Sequence, residues 1–174
     1  MVLLLGYKIF KCSLNIDIMS SNIKSEPVLD FFVEVDRSQK PIYPVFLEKV
    51  IHPEFELTGP DKFDLQNDVN LWCHEYQVQG IVRGHSIYDE LKEDDLLKDC
   101  LNLADLFGLQ QKGIKVFQYL YKGKRVFGWK SVILTCLGEL YAPCLDEYDS
   151  NINFDWVHVK EYWFYDCPAL IFRK

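Results

Sequence analysis

The chain has 174 residues, enough for one domain with its own core, and 49% hydrophobic with 26% charged content excludes disorder of the whole chain. Nineteen Lys and Arg against 26 Asp and Glu leave a net charge of −7, so long-range attraction to nucleic-acid phosphates or anionic lipid is not expected. The acidic residues form no phosphate-like ladder, since their densest cluster, Asp89 to Asp99, is interleaved with Lys92 and Lys98.

The chain starts apolar at Val2-Leu3-Leu4-Leu5, but Lys8 and Lys11 interrupt the run. It is too short and too charged for a membrane span, and it lacks the basic n-region and small-residue cleavage site of a signal peptide. Met19, followed by Ser20-Ser21-Asn22, is a second candidate start. Residues 1–24 are therefore expected to be an N-terminal extension and residues 25–174 a single domain. Cytoplasm is the default location, with the cell or virion surface as the alternative.

Val28 to Val35 is β-prone and predicts a strand. Pro41, Pro44, Pro53 and Pro60 punctuate the next stretch of chain, and a helical turn fits Pro44 to Ile51. Thr58-Gly59-Pro60-Asp61 predicts a turn, and Val69 to Trp72 a short apolar anchor. A helix is expected over Ser86 to Leu91 with Ser86 as its cap. A second begins near Asn102, its apolar stripe running through Leu103, Leu106, Phe107, Ile114, Phe117 and Tyr121. Gly108 and Gly113 predict a break or a tight contact within it, and Lys122-Gly123-Lys124 a stop. Strands are then expected over Arg125 to Thr135, Leu140 to Leu145, Ile152 to Val159 and Ala169 to Phe172, with a polar loop from Asp146 to Asn151. Strand, helices and an antiparallel region in that order make an α+β fold.

Enzyme signals are weak. Six Cys (Cys12, Cys73, Cys100, Cys136, Cys144 and Cys167) lie at long, irregular spacings without a CxxC pair, so they read as small buried or incidental thiols. Cys73, His74 and His85 lack metal-ligand spacing, and no thiol sits at a helix N-terminus beside a base. Gly80 to Gly84 is not a phosphate loop. Arg125, Trp129 and Lys130 resemble a nucleic-acid stacking site only loosely, and Lys130, placed on a strand, reads as a solvated charge. No catalytic residue, metal or cofactor is expected.

The tail carries the lead to function. Residues 126 to 172 hold three of the four Trp, and Trp129, Trp156 and Trp163 read as core anchors whose N–H groups need partners if buried. The residues between them share no chemistry, which suits a display surface better than a catalytic site. Tyr141, Cys144, Asp146, Tyr148, Asp155, Val157, His158, Tyr162, Phe164, Tyr165, Asp166 and Cys167 form the candidate ligand-binding set. Tyr offers large contact area at low entropic cost, and clustered exposed aromatics mark binding surfaces. The competing reading makes Tyr162, Phe164 and Tyr165 the end of the core.

Val126-Phe127-Gly128-Trp129-Lys130-Ser131-Val132 and Trp156-x-x-Val159-x-x-x-Trp163-x-x-x-x-Pro168-Ala169-Leu170 resemble a group of short proteins from uncultured, small-genome microbes. Thr58-Gly59-Pro60, Leu71-Trp72-x-His74 and Lys112-Gly113 also match. This group resembles variable proteins of diversity-generating retroelements. The resemblance implies a C-type lectin-like fold, with two helices on a twisted antiparallel sheet, and a C-terminal variable region at about 141–167 that binds a protein or other macromolecular ligand without catalysis. In such systems a reverse transcriptase rewrites adenines, favouring Asn codons AAC and AAT, whose products exclude Lys, Glu, Gln, Met and Trp. All twelve candidate residues are reachable; Trp156, Lys160, Glu161 and Trp163 are not. Ile171 departs from the family-like ending, which has a basic residue there. No acidic cluster implies calcium. The alternative function is an acidic protein-binding inhibitor of the kind phages encode, and a third is a small enzyme using His74 or His85.

Overall fold

The computed structural model describes residues 28–174. The expected N-terminal extension, the second start at Met19 and Cys12 lie outside them.

The first short strand, β1, spans Phe32–Glu34, inside the stretch expected to be extended. Leu47–Val50 is a second strand, β2, where the proline pattern predicts a helical turn. Its backbone groups are taken up instead by pairing along Ile133–Thr135. The turn falls one step later, as a 3-10 helix over Pro53–Phe55 with proline at its start. Lys62–Asp64 forms β3 and Val69–Trp72 forms β4. A one-turn helix that no sequence signal announces, α1, covers Glu75–Gln79, and β5 is Val82–Arg83.

Helix α2 runs Gly84–Glu93. It begins two residues before the expected Ser86 cap, and its first residue, Gly84, sits under the Trp163 indole. A Cβ on Gly84 would lie 2.7 Å from the indole nitrogen and 2.6 Å from the Val159 carbonyl oxygen. Helix α3, Leu103–Gln111, starts where predicted. The Asn102 side chain accepts from the Asp105 N–H, and the Asp105 carboxylate accepts in return from the Asn102 N–H. Both expectations at the glycines are met. Gly108 packs so closely that a Cβ would meet Val33 Cγ1 at 2.4 Å, and Gly113, at φ +83°, separates α3 from α4, Ile114–Tyr121. Gly123, at φ +70°, follows the end of α4.

The remaining elements are β6 (Val126–Phe127), a 3-10 turn at Trp129–Ser131, β7 (Ile133–Thr135), β8 (Leu140–Tyr148), β9 (Asn151–His158), β10 (Tyr162–Trp163) and β11 (Ala169–Phe172). The Asp146–Asn151 loop is shorter than predicted. Strand β8 continues to Tyr148, and the reversal is made by Asp149 and Ser150, both at positive φ (50° and 61°).

The fold is α+β. Six strands follow the order β2-β7-β8-β6-β11-β4, with β9 paired to β8 as the seventh. Strand β11 runs parallel to β6 and antiparallel to β4. Two small antiparallel pairs, β1 with β3 and β5 with β10, stand apart from this sheet.

The period-two alternation of strands sorts the core. Phe127, Cys144 and Ala169 face one apolar cluster with Leu91, Trp129 and Trp163, whereas their chain neighbours Val126, Leu145 and Leu170 face another with Leu106, Leu109 and Phe117. The sheet is thus covered on one face by α2 and on the other by α3 and α4. No helix among the described residues is long and apolar enough to cross a membrane.

Candidate functional site

Two of the three tail indoles are core anchors. Trp129 is fully buried and Trp163 is 1% exposed. Their ring centroids lie 5.0 Å apart, and Phe127 lies 3.9 Å from Trp163. Neither indole N–H has a hydrogen-bond partner within the described residues, contrary to the expectation for buried indoles. Trp156 is only half-buried, against Phe154 at 5.7 Å and Tyr43 at 6.1 Å, so the expectation of three equivalent anchors is corrected to two.

Trp163 positions the residues after it. Strand β10 pairs Trp163 with Val82 and Tyr162 with Arg83, so the indole points inward and Tyr162 outward. The Arg83 guanidinium lies 4.7 Å from the Tyr162 ring and donates to its hydroxyl at 2.9 Å. Beyond Trp163 the chain turns through Phe164 to Cys167, closed by the Cys167 N–H donating to the Phe164 carbonyl at 3.0 Å.

The fixture that holds this turn is the unpredicted helix α1. Gln77, 1% exposed, donates its amide to the carbonyls of Phe164 and Cys167, both at 2.7 Å. Its amide oxygen accepts from the His74 N–H. His74 in turn accepts from the Tyr76 N–H at Nδ1, so its other nitrogen carries the proton and faces Glu90 of α2 at 2.8 Å. Both nitrogens of this imidazole are engaged, one in capping and one as a hydrogen-bond donor to Glu90, which is how the Trp72–His74 segment serves the fold. On the other side, the Arg125 N–H donates to the Asp166 carbonyl and the Phe127 N–H to the Pro168 carbonyl. The segment is held through its backbone, so its side chains are not needed to keep its shape.

Its aromatic side chains face outward, whereas Cys167 is half-buried against the Trp163 cluster. Tyr162 is 53% exposed, Phe164 49% and Tyr165 66%. Tyr76, Val78 and Ile81, on and just after α1, are exposed as well. Asp146, Tyr162, Phe164, Asp166 and Cys167 border one cleft of about 450 Å³, together with Lys124 and Arg125. Arg125 is fixed there by Asp146 at 2.7 Å, and the Lys124 ammonium lies 5.9 Å from the Tyr165 ring.

The rest of the predicted set divides by strand alternation. Asp155 and Tyr148 are exposed on the face of the β8–β9 hairpin shared with Cys144, Asp146 and Val157, and Tyr148 stands at its tip. Val157 is half-buried against the core. Cys144 is fully buried and offers no surface to a ligand, a departure from the expected display set caused by its contact with the Trp163 cluster. Tyr141 and His158 are paired across the hairpin on its opposite face, with rings 4.9 Å apart. His158 is half-buried and 3.4 Å from Glu139. A second cleft of about 350 Å³ beside them is bordered by Phe46, Tyr141, Asp155 and Trp156. The twelve residues therefore do not form one patch. Five surround the first cleft with Tyr165 beside it, and two lie on another face.

The two thiols of the predicted set, Cys144 and Cys167, are not poised for chemistry. Burial pushes Cys167 up to about 11 and Cys144 up to about 12, so both are protonated at neutral pH. The five described cysteines are unpaired, and no group of three or more His, Cys, Asp or Glu among the described residues is placed to hold a metal. Lys130 corrects another expectation. It lies in the 3-10 turn after β6, not on a strand, and is 2% exposed. Comparison with known protein families, with curated proteins and with solved structures finds no match to this chain.

Proposed function

We propose that this chain is a binding protein that meets a protein or other macromolecular ligand through the segment Tyr162–Cys167 and the adjoining face of the β8–β9 hairpin. The observation that carries the reading is the outward set Tyr162, Phe164 and Tyr165 on a turn held by bonds from Gln77, Arg125 and Phe127 to its backbone. Exposed aromatics on a stiff frame give contact area without an ordering cost at binding. A frame independent of its displayed side chains also tolerates their replacement.

That tolerance supports the further reading that residues about 141–167 are a variable region rewritten by a retroelement and that the fold is C-type lectin-like. The antiparallel pairing of C-terminal β11 with β4, the helices α2 and α3, and the long β8–β9 hairpin are compatible with it. Sequencing the flanking DNA tests the retroelement: a reverse-transcriptase gene and a near-copy of the 3′ coding end differing at adenines are expected. Finding neither turns the reading to an acidic protein-binding inhibitor. A library randomised at Tyr148, Asp155, Tyr162, Phe164, Tyr165 and Asp166 tests the frame: most members should fold within about 1 kcal/mol of the parent, and a largely unfolded library would refute the division into frame and display.

A further inference from the structure

Away from the Tyr162–Cys167 surface, and sharing no lining residue with its cleft, a cavity of about 410 Å³ opens between the Thr58–Pro60 loop, strand β3, a 3-10 helix over Leu97–Asp99 that precedes α3, and the C-terminal strand. In a chain of net charge −7, its walls carry four cations, Lys62, Lys98, Lys130 and Arg173, against two carboxylates, Asp68 and Asp99. Three of these cations are neutralised or occupied at the rim. Lys62 pairs with Glu34 at 2.8 Å, Lys98 with Asp95, and Arg173 donates to Asn70 and to the Gln66 carbonyl.

Lys130 differs. It is only 2% exposed, yet its ammonium has no hydrogen bond or ion pair among the described residues. The nearest acidic groups are engaged elsewhere, Asp105 by Arg37 at 2.7 Å and Asp99 by Lys174 at 2.9 Å. What the ammonium meets is the Phe172 ring, 5.6 Å from its centroid and also part of the cavity wall. A cation–π contact offsets only part of the loss of hydration, and an apolar side chain of the same length would suit the fold better. Lys130 is thus the one cation of the cavity wall with neither a hydrogen bond nor an ion pair among the described residues, and its ammonium is open to an anion entering the cavity.

We propose that this cavity binds a small molecule bearing a phosphate monoester, with Lys130 as the buried contact to the anion and Lys98 and Arg173 as cations at the mouth. With Lys62, Lys98 and Asp99 paired to Glu34, Asp95 and Lys174, the lining keeps two cations without a carboxylate partner, Lys130 and Arg173, and a phosphate monoester, at about −1.5 to −2 near neutral pH, can meet both. The volume lies within the range of small-molecule sites and exceeds what a bare phosphate fills, and Phe172 supplies a flat apolar wall for the organic part. Burial lowers the pKa of the empty lysine, and a bound dianion reverses that tendency by favouring the charged form.

Isothermal titration of the full chain with phenyl phosphate, inorganic phosphate and benzyl alcohol tests the assignment. Phenyl phosphate should bind saturably at one site, inorganic phosphate more weakly, and benzyl alcohol not at all. Lys130→Met should weaken phenyl phosphate at least tenfold, about 1.4 kcal/mol, while melting at or above the parent temperature. Lys98→Ala, at the exposed mouth, should weaken it severalfold in a folded protein, which keeps the test decisive should Lys130→Met fail to fold. Absence of saturable binding up to about 10 mM, or parental affinity in either folded variant, would overturn the proposal.

Discussion

Replacing Trp163 by alanine separates the frame from what it displays. Trp163 is 1% exposed, packed against the tilted Phe127 ring at 3.9 Å and beside Trp129 at 5.0 Å, with Gly84 packed directly beneath it. A large aromatic of this kind buries on the order of 150–250 Å², and its removal leaves a cavity that Gly84, lacking a side chain, cannot help to fill. Truncations of buried Phe or Trp cost about 3–5 kcal/mol. For a chain of this size each kcal/mol moves the melting temperature by roughly 2–4 °C, so a loss of roughly 6–20 °C is expected. Tyr165→Ala is the matched control. It removes an aromatic only two residues away that is 66% exposed and whose backbone, not its ring, holds the turn, and it should cost less than about 0.5 kcal/mol. Circular dichroism melts and urea titrations of both variants check the difference. Equal losses, large or small, would show that the turn is sustained by its own side chains, and the separation of frame from display would fail.

Gln77→Leu removes both bonds to the turn; it should cost about 1–3 kcal/mol through the unpartnered Cys167 carbonyl and speed hydrogen exchange at Cys167, whose N–H closes the turn. Gly108→Ala forces a Cβ against Val33 and should destabilise by about 1–3 kcal/mol, measured by urea midpoint. Arg37→Met strands the Asp105 carboxylate, which is fully buried, and should cost about 3–5 kcal/mol at neutral pH. Burial already holds Asp105 above its ordinary 3.8, despite hydrogen bonds from Asn102 and Arg37. A raised carboxyl pKa penalises the folded state when the group is ionised and relieves that penalty as pH falls through the raised value. Losing Arg37 raises it further, so the variant's deficit should narrow as pH falls towards 3.8, and a constant deficit in melts across that window would contradict the assignment.

Some features are legible in the sequence because local chemistry decides them. The Asn102 cap works through its own neighbour Asp105, and Gly113 breaks the helix through its own φ, so both are readable without knowing the fold. Other features depend on distant partners. Leu47–Val50 is a strand because β7 is there to pair with it, and α1 exists as a five-residue helix because His74 and Gln77 cap it and tie it to Glu90 and to the Phe164–Cys167 turn. Alternation along β8 and β9 is predictable as a principle, but its register is not. Register is what puts Cys144 in the core and sends Tyr141 and His158 to the face opposite Asp155. Burial of Lys130 is not legible because a Trp-Lys-Ser stretch inside a β-rich run gives no sign of the 3-10 turn that carries the ammonium inward.

The division of labour between α1 and the tail bears on how such a surface can change without loss of fold. Among the described residues, the bonds that fix residues 164 to 168 from outside end on carbonyl oxygens of that segment: Gln77 on Phe164 and Cys167, the Arg125 N–H on Asp166, the Phe127 N–H on Pro168, and the Cys73 thiol on Tyr165. Carbonyls are common to all residue types, so substitution at 164 to 167 leaves each acceptor in place. The donors sit on elements outside the displayed segment, and the most deeply buried side-chain donor, Gln77, is itself held by a histidine cap and not by anything the tail supplies. Under the proposed binding function, specificity would shift at Phe164, Tyr165 and Asp166 while α1 and Trp163 keep the frame. The same logic sets a limit: Cys144, Tyr141 and His158, embedded in packing or facing elsewhere, cannot vary as freely, and a variant set that spared the turn but altered Cys144 to a larger residue should lose stability in proportion to the volume added to the Trp163 cluster.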